Sequence, residues 1–222
     1  MALSTGLVRL GGISGLLYVL LLIPSFILGR PDAVEEPIST QGVIEYYTAR
    51  QEAFLLGNGV IVLFAVFFFL WFLGIQCGML WRAEREGPWL ALVALVGGLM
   101  FITLSRAGTV AEILYAATVS RFDNFVHDAQ LAFLSVTLSS WLYHFAQVGT
   151  SVMVHATSLV ALGRGVLPRW LALVGFLLAL VAILHFQLPF FGTLANLLWV
   201  ALVSALMLVG SGSASTSRRL AR

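Results

Sequence analysis

The chain contains no lysine and a single cysteine, and charged residues make up only 10% of its 222 residues. Without a lysine amine, a Schiff-base chromophore of the retinal kind is excluded. Because Cys77 is alone, neither an internal disulfide nor a site of several thiolates can form. The patterns GxxxxGK[ST], GxGxxG and GxSxG are also absent, so the sequence gives no support to nucleotide binding or to serine-hydrolase chemistry.

Apolar residues make up 60% of the chain, and the mean hydropathy of the chain is +0.99. Six apolar segments each reach the roughly 20 residues that a helix needs to cross a hydrocarbon core. The sequence therefore predicts an all-α, polytopic integral membrane protein, a six-transmembrane-helix bundle in one domain covering residues 1–222. The predicted spans are 10–29, 54–80, 88–113, 131–163, 167–186 and 189–210.

Charge in the connecting segments alternates sharply along the chain. One set has a net charge of +6 and contains Arg9, Arg82, Glu84, Arg85, Glu86, Arg164, Arg169, Arg218, Arg219 and Arg222. The other set has a net charge of −4 and contains Arg30, Asp32, Glu35, Glu36, Glu45, Arg50, Glu52, Arg121, Asp123 and Asp128. Because flanking cations stay on the cytoplasmic side, both termini are predicted to be cytoplasmic. The formal net charge of +2 reflects this orientation and does not indicate nucleic-acid binding.

A polar stripe, defined by seven residues, follows one side of the fourth apolar segment. Its members are Thr137, Ser140, His144, Gln147, Ser151, His155 and Ser158. Their spacing keeps them within roughly an 80° sector of a helix over about 32 Å. Since lipid cannot satisfy these groups, the stripe is expected to face other helices or a wet cavity.

Two interpretations of the polar stripe remain open. Its side chains can form interhelical hydrogen bonds that set the register of the bundle. Alternatively, they line a cavity or proton path in which His144 and His155 act as relay or ligand groups. Counted from Arg164, His155 lies about 13 Å and His144 about 30 Å along the helix, which places His144 near the outer surface.

Other polar residues within apolar segments fall in the same outer half. Arg106 lies about 27 Å after Pro88, and Glu112 lies about 9 Å further. These two residues either snorkel towards the interface, or Arg106 turns inward to bind an anion or to pair with an acidic residue between 123 and 128. An outward-facing pocket is predicted from Asn58, Arg106, His144, His185 and Asn196.

The outer loops contain one group of candidate metal ligands and one segment that is predicted to be helical. Asp123 and His127 are four residues apart, with Asp128 adjacent, and mixed imidazole and carboxylate ligands suit zinc, iron or manganese. A solvated loop is the alternative interpretation, and no cofactor is predicted beyond a possible divalent metal. The segment 40–52 is predicted to form a short helix whose tyrosines, Tyr46 and Tyr47, anchor it at the outer interface.

Two pairs of glycines have the spacing that lets helices approach closely in a bilayer. Gly11 and Gly15 form one pair, and Gly74 and Gly78 form the other. Either pair is a candidate for helix packing.

Two short motifs carry a resemblance to a known family. The run from Arg9 to Tyr18 (RLGGISGLLY) and the later run from Gly165 to Leu171 (GVLPRWL) resemble an uncharacterised bacterial six-span membrane protein family of the domain of unknown function 4386 type. The resemblance covers most of the chain. It implies a bacterial plasma membrane location and carries over no activity or catalytic residue.

Binding is the function that the sequence favours, in an outward-facing polar intramembrane pocket. The expected partner is a small amphipathic ligand, a membrane lipid, another membrane protein or a second copy of this chain. Neither nucleic acid nor nucleotide is expected. The candidate ligand-binding residues are Asn58, Arg106, His144, Gln147, Ser151, His155 and Asn196. A metal-assisted enzyme acting on a lipid through Asp123, His127 and His144, and a proton-coupled transporter using His144 and His155, are the alternatives.

Overall fold

A computed structural model describes residues 3–29, 39–49, 51–84, 87–122, 124–184 and 189–220. Eight α-helices and one π-helical turn make up the described chain. They are α1 (Thr5–Gly29), α2 (Thr40–Thr48), α3 (Gln51–Leu55), the π-helical turn (Leu56–Ile61), α4 (Val62–Ala83), α5 (Trp89–Arg121), α6 (Ala129–Arg164), α7 (Arg169–Ile183) and α8 (Pro189–Leu220).

Five of the helical segments in the described chain are long and apolar enough to cross a membrane. They are Thr5–Leu28, Gln51–Ala83, Trp89–Arg121, Ala129–Arg164 and Gly192–Gly210. The protein is therefore a helical, multi-pass membrane protein. The fifth predicted span corresponds to α7, which has 15 residues and a length of about 22 Å. The prediction placed the end of the third span at residue 113, whereas α5 continues to Arg121.

Polar groups at the helix ends explain where several helices begin and end. The Glu84 carboxylate accepts hydrogen bonds from the backbone N–H of Leu90 (3.0 Å) and Ala91 (2.7 Å), so it caps the first turn of α5. Asp128 caps α6 in the same way by accepting from Gln130 N at 2.8 Å. Helix α6 ends at Gly165, whose positive φ of 65° suits glycine.

Among the described residues, the five long helices and α7 form a closed ring in the order α1, α4, α5, α6, α7 and α8, with α8 returning to α1. Further contacts join α6 to both α4 and α8 across the ring. One of these is a hydrogen bond of 3.0 Å from Gln76 Nε2 on α4 to Thr157 Oγ1 on α6. Large side chains such as Phe72 and Trp199 are fully buried in the shared core.

A tight backbone contact joins α5 to α6 at Gly97 and Gly149. A Cβ atom at Gly149 would lie 2.5 Å from Phe101 N and 2.6 Å from Gly97 O, and one at Gly97 would lie 2.7 Å from Met153 N. Only glycine permits this backbone contact, which is the small-residue packing expected between helices in lipid.

The two glycine pairs predicted from spacing behave differently. Gly11 and Gly15 of α1 do lie against other helices, since a Cβ at Gly15 would clash with Ser204 of α8. By contrast, a Cβ at Gly74 would have no neighbour within 4 Å among the described residues, and one at Gly78 would meet only Leu3 Cδ1 at 3.9 Å. Among the described residues, the second pair therefore makes no close helix contact. The tight contact of Gly97 with Gly149 was not recognised from sequence.

Helix α2 begins at Ser39, whose hydroxyl accepts from Gly42 N at 2.9 Å, and it packs over α5 and α6. Val43 and Tyr47 are fully buried there, in a small hydrophobic cluster with Phe54 and Tyr115. The short helix was predicted, but its role as an interfacial anchor was wrong for Tyr47, because protein rather than the membrane interface covers this side chain.

The backbone contact between α5 and α6 predicts a sharp difference between two glycine-to-alanine variants. Gly149→Ala adds a methyl group where there is no room, so it should cost about 1–3 kcal/mol and lower the Tm of the purified protein in detergent. The matched control, Gly74→Ala, adds the same group in open space and should leave the Tm unchanged or raise it. Equal Tm values for the two variants would contradict the assignment.

Candidate functional site

A polar cavity lies between helices at one end of the ring, called here the acidic end because it carries the predicted acidic loops. At this end α1 and α5 finish and α6 and α8 start. The cavity is lined by Tyr18, Leu22, Ser25, Phe26, Asn58, Val62, Phe101, Ser105, Arg106, Thr109, Tyr143, Gln147, Thr193 and Asn196. Because Phe26 is exposed and Asn58 and Thr193 are half-buried, the cavity reaches the protein surface.

The π-helical turn positions Asn58 in this lining. A π-turn uses hydrogen bonds between residues five apart, and here the backbone N–H of Val62 donates to the carbonyl oxygen of Gly57. Here the Ser25 hydroxyl of α1 donates to the carbonyl oxygen of Gly57 at 3.0 Å. This hydrogen bond ties the π-turn to α1 and holds the neighbouring Asn58 at the cavity wall.

Arg106 brings a positive charge into the cavity. Its side chain is half-buried, and its Nε and Nη2 atoms each lie 3.4 Å from Ser105 Oγ. A hydroxyl is a neutral acceptor, so this contact does not neutralise the guanidinium. It also uses only part of the five N–H donors that the guanidinium offers in a planar fork.

A buried hydrogen-bonded chain crosses the floor of the cavity from α1 to α6. The Tyr18 hydroxyl donates to Asn196 Oδ1 of α8 at 2.9 Å, and Asn196 Nδ2 donates to Thr150 Oγ1 of α6 at 3.4 Å. Tyr18 and Asn196 are each only 1% exposed. Since this chain links three helices, it fixes the shape of the floor.

Gln147 contributes an acceptor that the described residues leave unpaired. The side chain is 3% exposed, and its Oε1 atom has no hydrogen-bond partner among the described residues. An unpaired buried acceptor is unfavourable by about 1–3 kcal/mol. Because Gln147 lines the cavity, a bound molecule that carries an N–H or O–H donor would satisfy it.

A second network leads away from the cavity to α2. Tyr143 Oη lies 2.9 Å from Thr109 Oγ1 in the cavity wall, and it donates to Glu112 Oε2 at 3.2 Å. The other carboxylate oxygen of Glu112 accepts from Tyr46 Oη at 3.2 Å. Burial, followed by the charge of Glu112, raises the pKa of Tyr46, so this hydroxyl stays protonated and donates. Glu112 is therefore held by hydrogen bonds to Tyr46 and Tyr143.

The size of the cavity limits what it can hold. Its volume is about 50 Å³. A single water molecule occupies about 10–15 Å³ by the same measure, so there is room for a few waters or for one small polar group. A whole lipid does not fit, although its headgroup could enter while the rest stays outside.

Four residues predicted for the pocket meet in this cavity: Asn58, Arg106, Gln147 and Asn196. His144, Ser151 and His155, which were predicted with them, do not line this cavity. Ser151 is buried elsewhere in the bundle. His185 lies outside the described residues.

The two histidines of α6 lie outside the cavity lining. His144 Nδ1 is 2.6 Å from Ser140 O, and its ring lies near Trp141. His155 is exposed on the bundle surface, with its ring edge-on to Phe176 of α7 at 4.9 Å between centroids. The structure thus places neither histidine on a path that includes Arg106.

The rotation of α6 explains why only some residues of the polar stripe are buried. The buried face of α6 contains Ser139 and Thr157, which are 18 residues apart and therefore lie on one line along the helix. Gln147 is about 80° from that line, whereas His155 is about 160° from it. The polar stripe therefore lies along the edge of the buried face of α6. Gln147, Ser151 and Ser158 are buried in the bundle, and the two histidines are not.

The predicted metal ligands do not assemble among the described residues. Asp123 lies outside them. His127 Nδ1 is 3.2 Å from Tyr115 Oη, and Asp128 caps α6. No group of three potential metal ligands occurs in the parts of the chain that the structure describes.

Several lining residues were missed from the sequence. Tyr18, Thr109 and Tyr143 each carry a single hydroxyl on an otherwise apolar helix face. Such side chains are commonly expected to pack in the core or to lie at the membrane interface. A signal was available for Tyr18, because a tyrosine in the middle of an apolar run requires a partner for its hydroxyl.

Comparison with known proteins identifies no relative: no family model, no curated protein and no solved structure matches the chain. The resemblance to the family of unknown function therefore stays a prediction.

Two adjacent tyrosines test the network that ties α2 to the cavity wall. Tyr46→Phe removes a hydrogen bond to a carboxylate, so it should destabilise the docking of α2 by about 1.5–3 kcal/mol. Faster hydrogen exchange over residues 40–48 measures this loss. Tyr47→Phe is the matched control, because the buried Tyr47 hydroxyl has no partner among the described residues and its removal should be neutral or stabilising. The network would be ruled out by unchanged exchange in Tyr46→Phe.

Proposed function

We propose that this protein is a multi-pass protein of the bacterial plasma membrane that binds a small amphipathic ligand or lipid through an anionic headgroup. The headgroup enters the polar cavity at the acidic end, and the apolar part lies against the surrounding helices. The observation that supports this most is the half-buried guanidinium of Arg106 in a small, hydrogen-bonding cavity.

The proposed topology has six spans with both termini in the cytoplasm, so that the cavity opens outward. It is supported by the charge difference between the two sets of connecting segments. The closed ring supports it too, because α7 packs between α6 and α8 as an equal member despite its shorter length. In this orientation the acidic end faces outward.

The chemistry of the lining supports an anionic, amphipathic ligand. Arg106 offers a bidentate donor set for a carboxylate or phosphate, and its charge is not balanced by Ser105. Asn58 and Thr193 add polar atoms near the opening. Leu22, Phe26 and Val62 border the same space and can contact the apolar part of a ligand.

The alternatives receive less support from the geometry. A proton-coupled transporter would need His144 and His155 on a common path, and a metal-assisted enzyme would need clustered ligands. The described residues place neither histidine in the cavity and bring no ligand cluster together. Docking of a membrane partner remains compatible with the exposed helix faces but is not favoured by the cavity.

The binding proposal predicts that Arg106→Gln weakens the binding of decanoate and of decyl phosphate. Loss of a charge-assisted interaction of about 1.5–3 kcal/mol corresponds to roughly a tenfold to hundredfold loss of affinity. The measurement is calorimetric titration of purified protein in phosphatidylcholine nanodiscs.

The matched control is Arg121→Gln, which removes an exposed arginine at the end of the same helix and should bind both probes like the original protein. Decanol, which has no charge, should bind the original protein and Arg106→Gln equally weakly. The proposal fails if Arg106→Gln keeps the original affinity or if the original protein binds neither anion.

The topology predicts opposite labelling of two engineered cysteines in a Cys77→Ala background. Ser120→Cys, exposed at the acidic end, should react with a membrane-impermeant maleimide added to intact cells. Gly163→Cys, exposed at the other end, should react only after the membrane is permeabilised. The reverse pattern would invert the proposed orientation, and labelling of both in intact cells would exclude it.

A further inference from the structure

Among the described residues, six buried polar side chains line the cavity at the acidic end, and five of them form hydrogen bonds within the protein. Tyr18 bonds to Asn196, and the hydroxyls of Ser25, Ser105 and Thr109 each donate to a backbone carbonyl oxygen. Gln147 differs, since its Oε1 atom has no partner among the described residues although the side chain is only 3% exposed. The amide of Gln147 is therefore the point of the lining at which a bound molecule gains a hydrogen bond that these residues do not already make.

Arg106 and Gln147 both line this cavity, from α5 and α6 respectively. The antiparallel register of these helices, set where Gly97 lies beside Met153, puts Gln147 about 4–5 Å from Arg106 along the helix axes. Helical side chains lean towards the N-terminus of their own helix. In antiparallel helices with this register, the side chains of Arg106 and Gln147 therefore lean towards each other, and one small headgroup can contact both.

The hydrogen-bonding character of these two side chains defines the headgroup. The guanidinium of Arg106 only donates, so it pairs with an anionic oxygen. An amide has an acceptor at one end and a donor at the other, and a hydroxyl can pair with either end because it both donates and accepts. An ammonium group can also donate to the amide oxygen, but it would bring a second positive charge next to Arg106. A hydroxyl beside an anionic group therefore fits this pair of side chains best.

The volume of the cavity favours a carboxylate over a phosphate as the anionic group. A volume of about 50 Å³ holds roughly three to five water-sized groups. A carboxylate with one hydroxyl nearby brings three oxygen atoms, whereas a phosphate ester with such a hydroxyl brings at least five. Only the carboxylate leaves room in the cavity for the carbon atoms that join the two groups.

We infer that the cavity binds amphipathic carboxylates that carry a hydroxyl on C2 or C3, and that Gln147 selects for this hydroxyl. The carboxylate pairs with Arg106, the hydroxyl pairs with the amide of Gln147, and the apolar chain stays outside the cavity. This inference rests on the proposed function, because it names the class of ligand for the same cavity. It adds that an unsubstituted fatty acid, which leaves the amide unpaired, is a poorer ligand.

Calorimetric titration of the full-length protein in phosphatidylcholine nanodiscs tests this selection with four ligands. They are decanoate, 2-hydroxydecanoate, 3-hydroxydecanoate and 10-hydroxydecanoate. The better of the 2-hydroxy and 3-hydroxy compounds should bind at least about fivefold more tightly than decanoate, because its hydroxyl satisfies a buried unpaired group. 10-Hydroxydecanoate is the matched control ligand, since its hydroxyl lies at the far end of the chain, outside the cavity, and should give no such gain.

Two variants of α6 assign the selection to Gln147. Gln147→Met keeps an unbranched side chain of similar length but removes the amide, so the hydroxylated compound and decanoate should bind with an affinity ratio of about one. Ser135→Ala is the matched control, because it removes another buried polar atom of α6 without a partner among the described residues, and Ser135 does not line the cavity. This variant should keep the ratio of the original protein.

The outcomes separate this inference from the proposed function on which it rests. If the original protein binds all four decanoates equally, or if Gln147→Met keeps the preference, the selection by Gln147 is overturned while anion binding stands. If the original protein binds none of them, or if Arg106→Gln binds them as tightly as the original protein, both are overturned. The comparison of ligands on the original protein decides the inference even if Gln147→Met is not stable enough to purify.

Discussion

The backbone contact between α5 and α6 at Gly97 and Gly149 is the constraint on which the candidate site depends. With no Cβ on either residue, the two helices touch through backbone atoms, and this contact fixes how far α5 is rotated against α6. A further contact follows at Gly108, where a Cβ would lie 3.3 Å from Ser139 O. Between these points the antiparallel helices place Thr109 beside Tyr143.

Polar groups around this contact form two hydrogen-bonded networks, because lipid offers no water to satisfy them. Tyr18, Asn196 and Thr150 bond across three helices, while Tyr143, Glu112 and Tyr46 bond from the cavity wall to α2. Arg106 is the charge in the lining, beside an acceptor of Gln147 that the described protein leaves unpaired. The floor of the cavity is thus hydrogen-bonded across three helices, and its lining keeps a buried acceptor without a partner among the described residues. This arrangement supports the proposed binding, since a site whose groups are already held in place loses less freedom when a ligand binds.

Sequence reasoning recovered the helices and part of the cavity for one physical reason. Asn58, Arg106, Gln147 and Asn196 are polar residues at similar depth in long apolar segments, and a bilayer forces such residues inward. The same rule is too coarse to decide which side of α6 faces inward. That choice depends on Gly149 and its contact with Gly97, whose partner in another helix cannot be read from one sequence. His144 and His155 were therefore assigned to the interior although they lie beyond its edge.

The central claim is that the Arg106 cavity receives an anionic headgroup. An experimental structure of the protein with a brominated anionic amphiphile, 10-bromodecanoate, tests it most directly. The account predicts carboxylate density within hydrogen-bonding distance of the Arg106 guanidinium and an anomalous bromine signal outside the cavity, along the apolar helices. Bromine signal only at other surfaces, with the cavity closed by its own side chains, would contradict it.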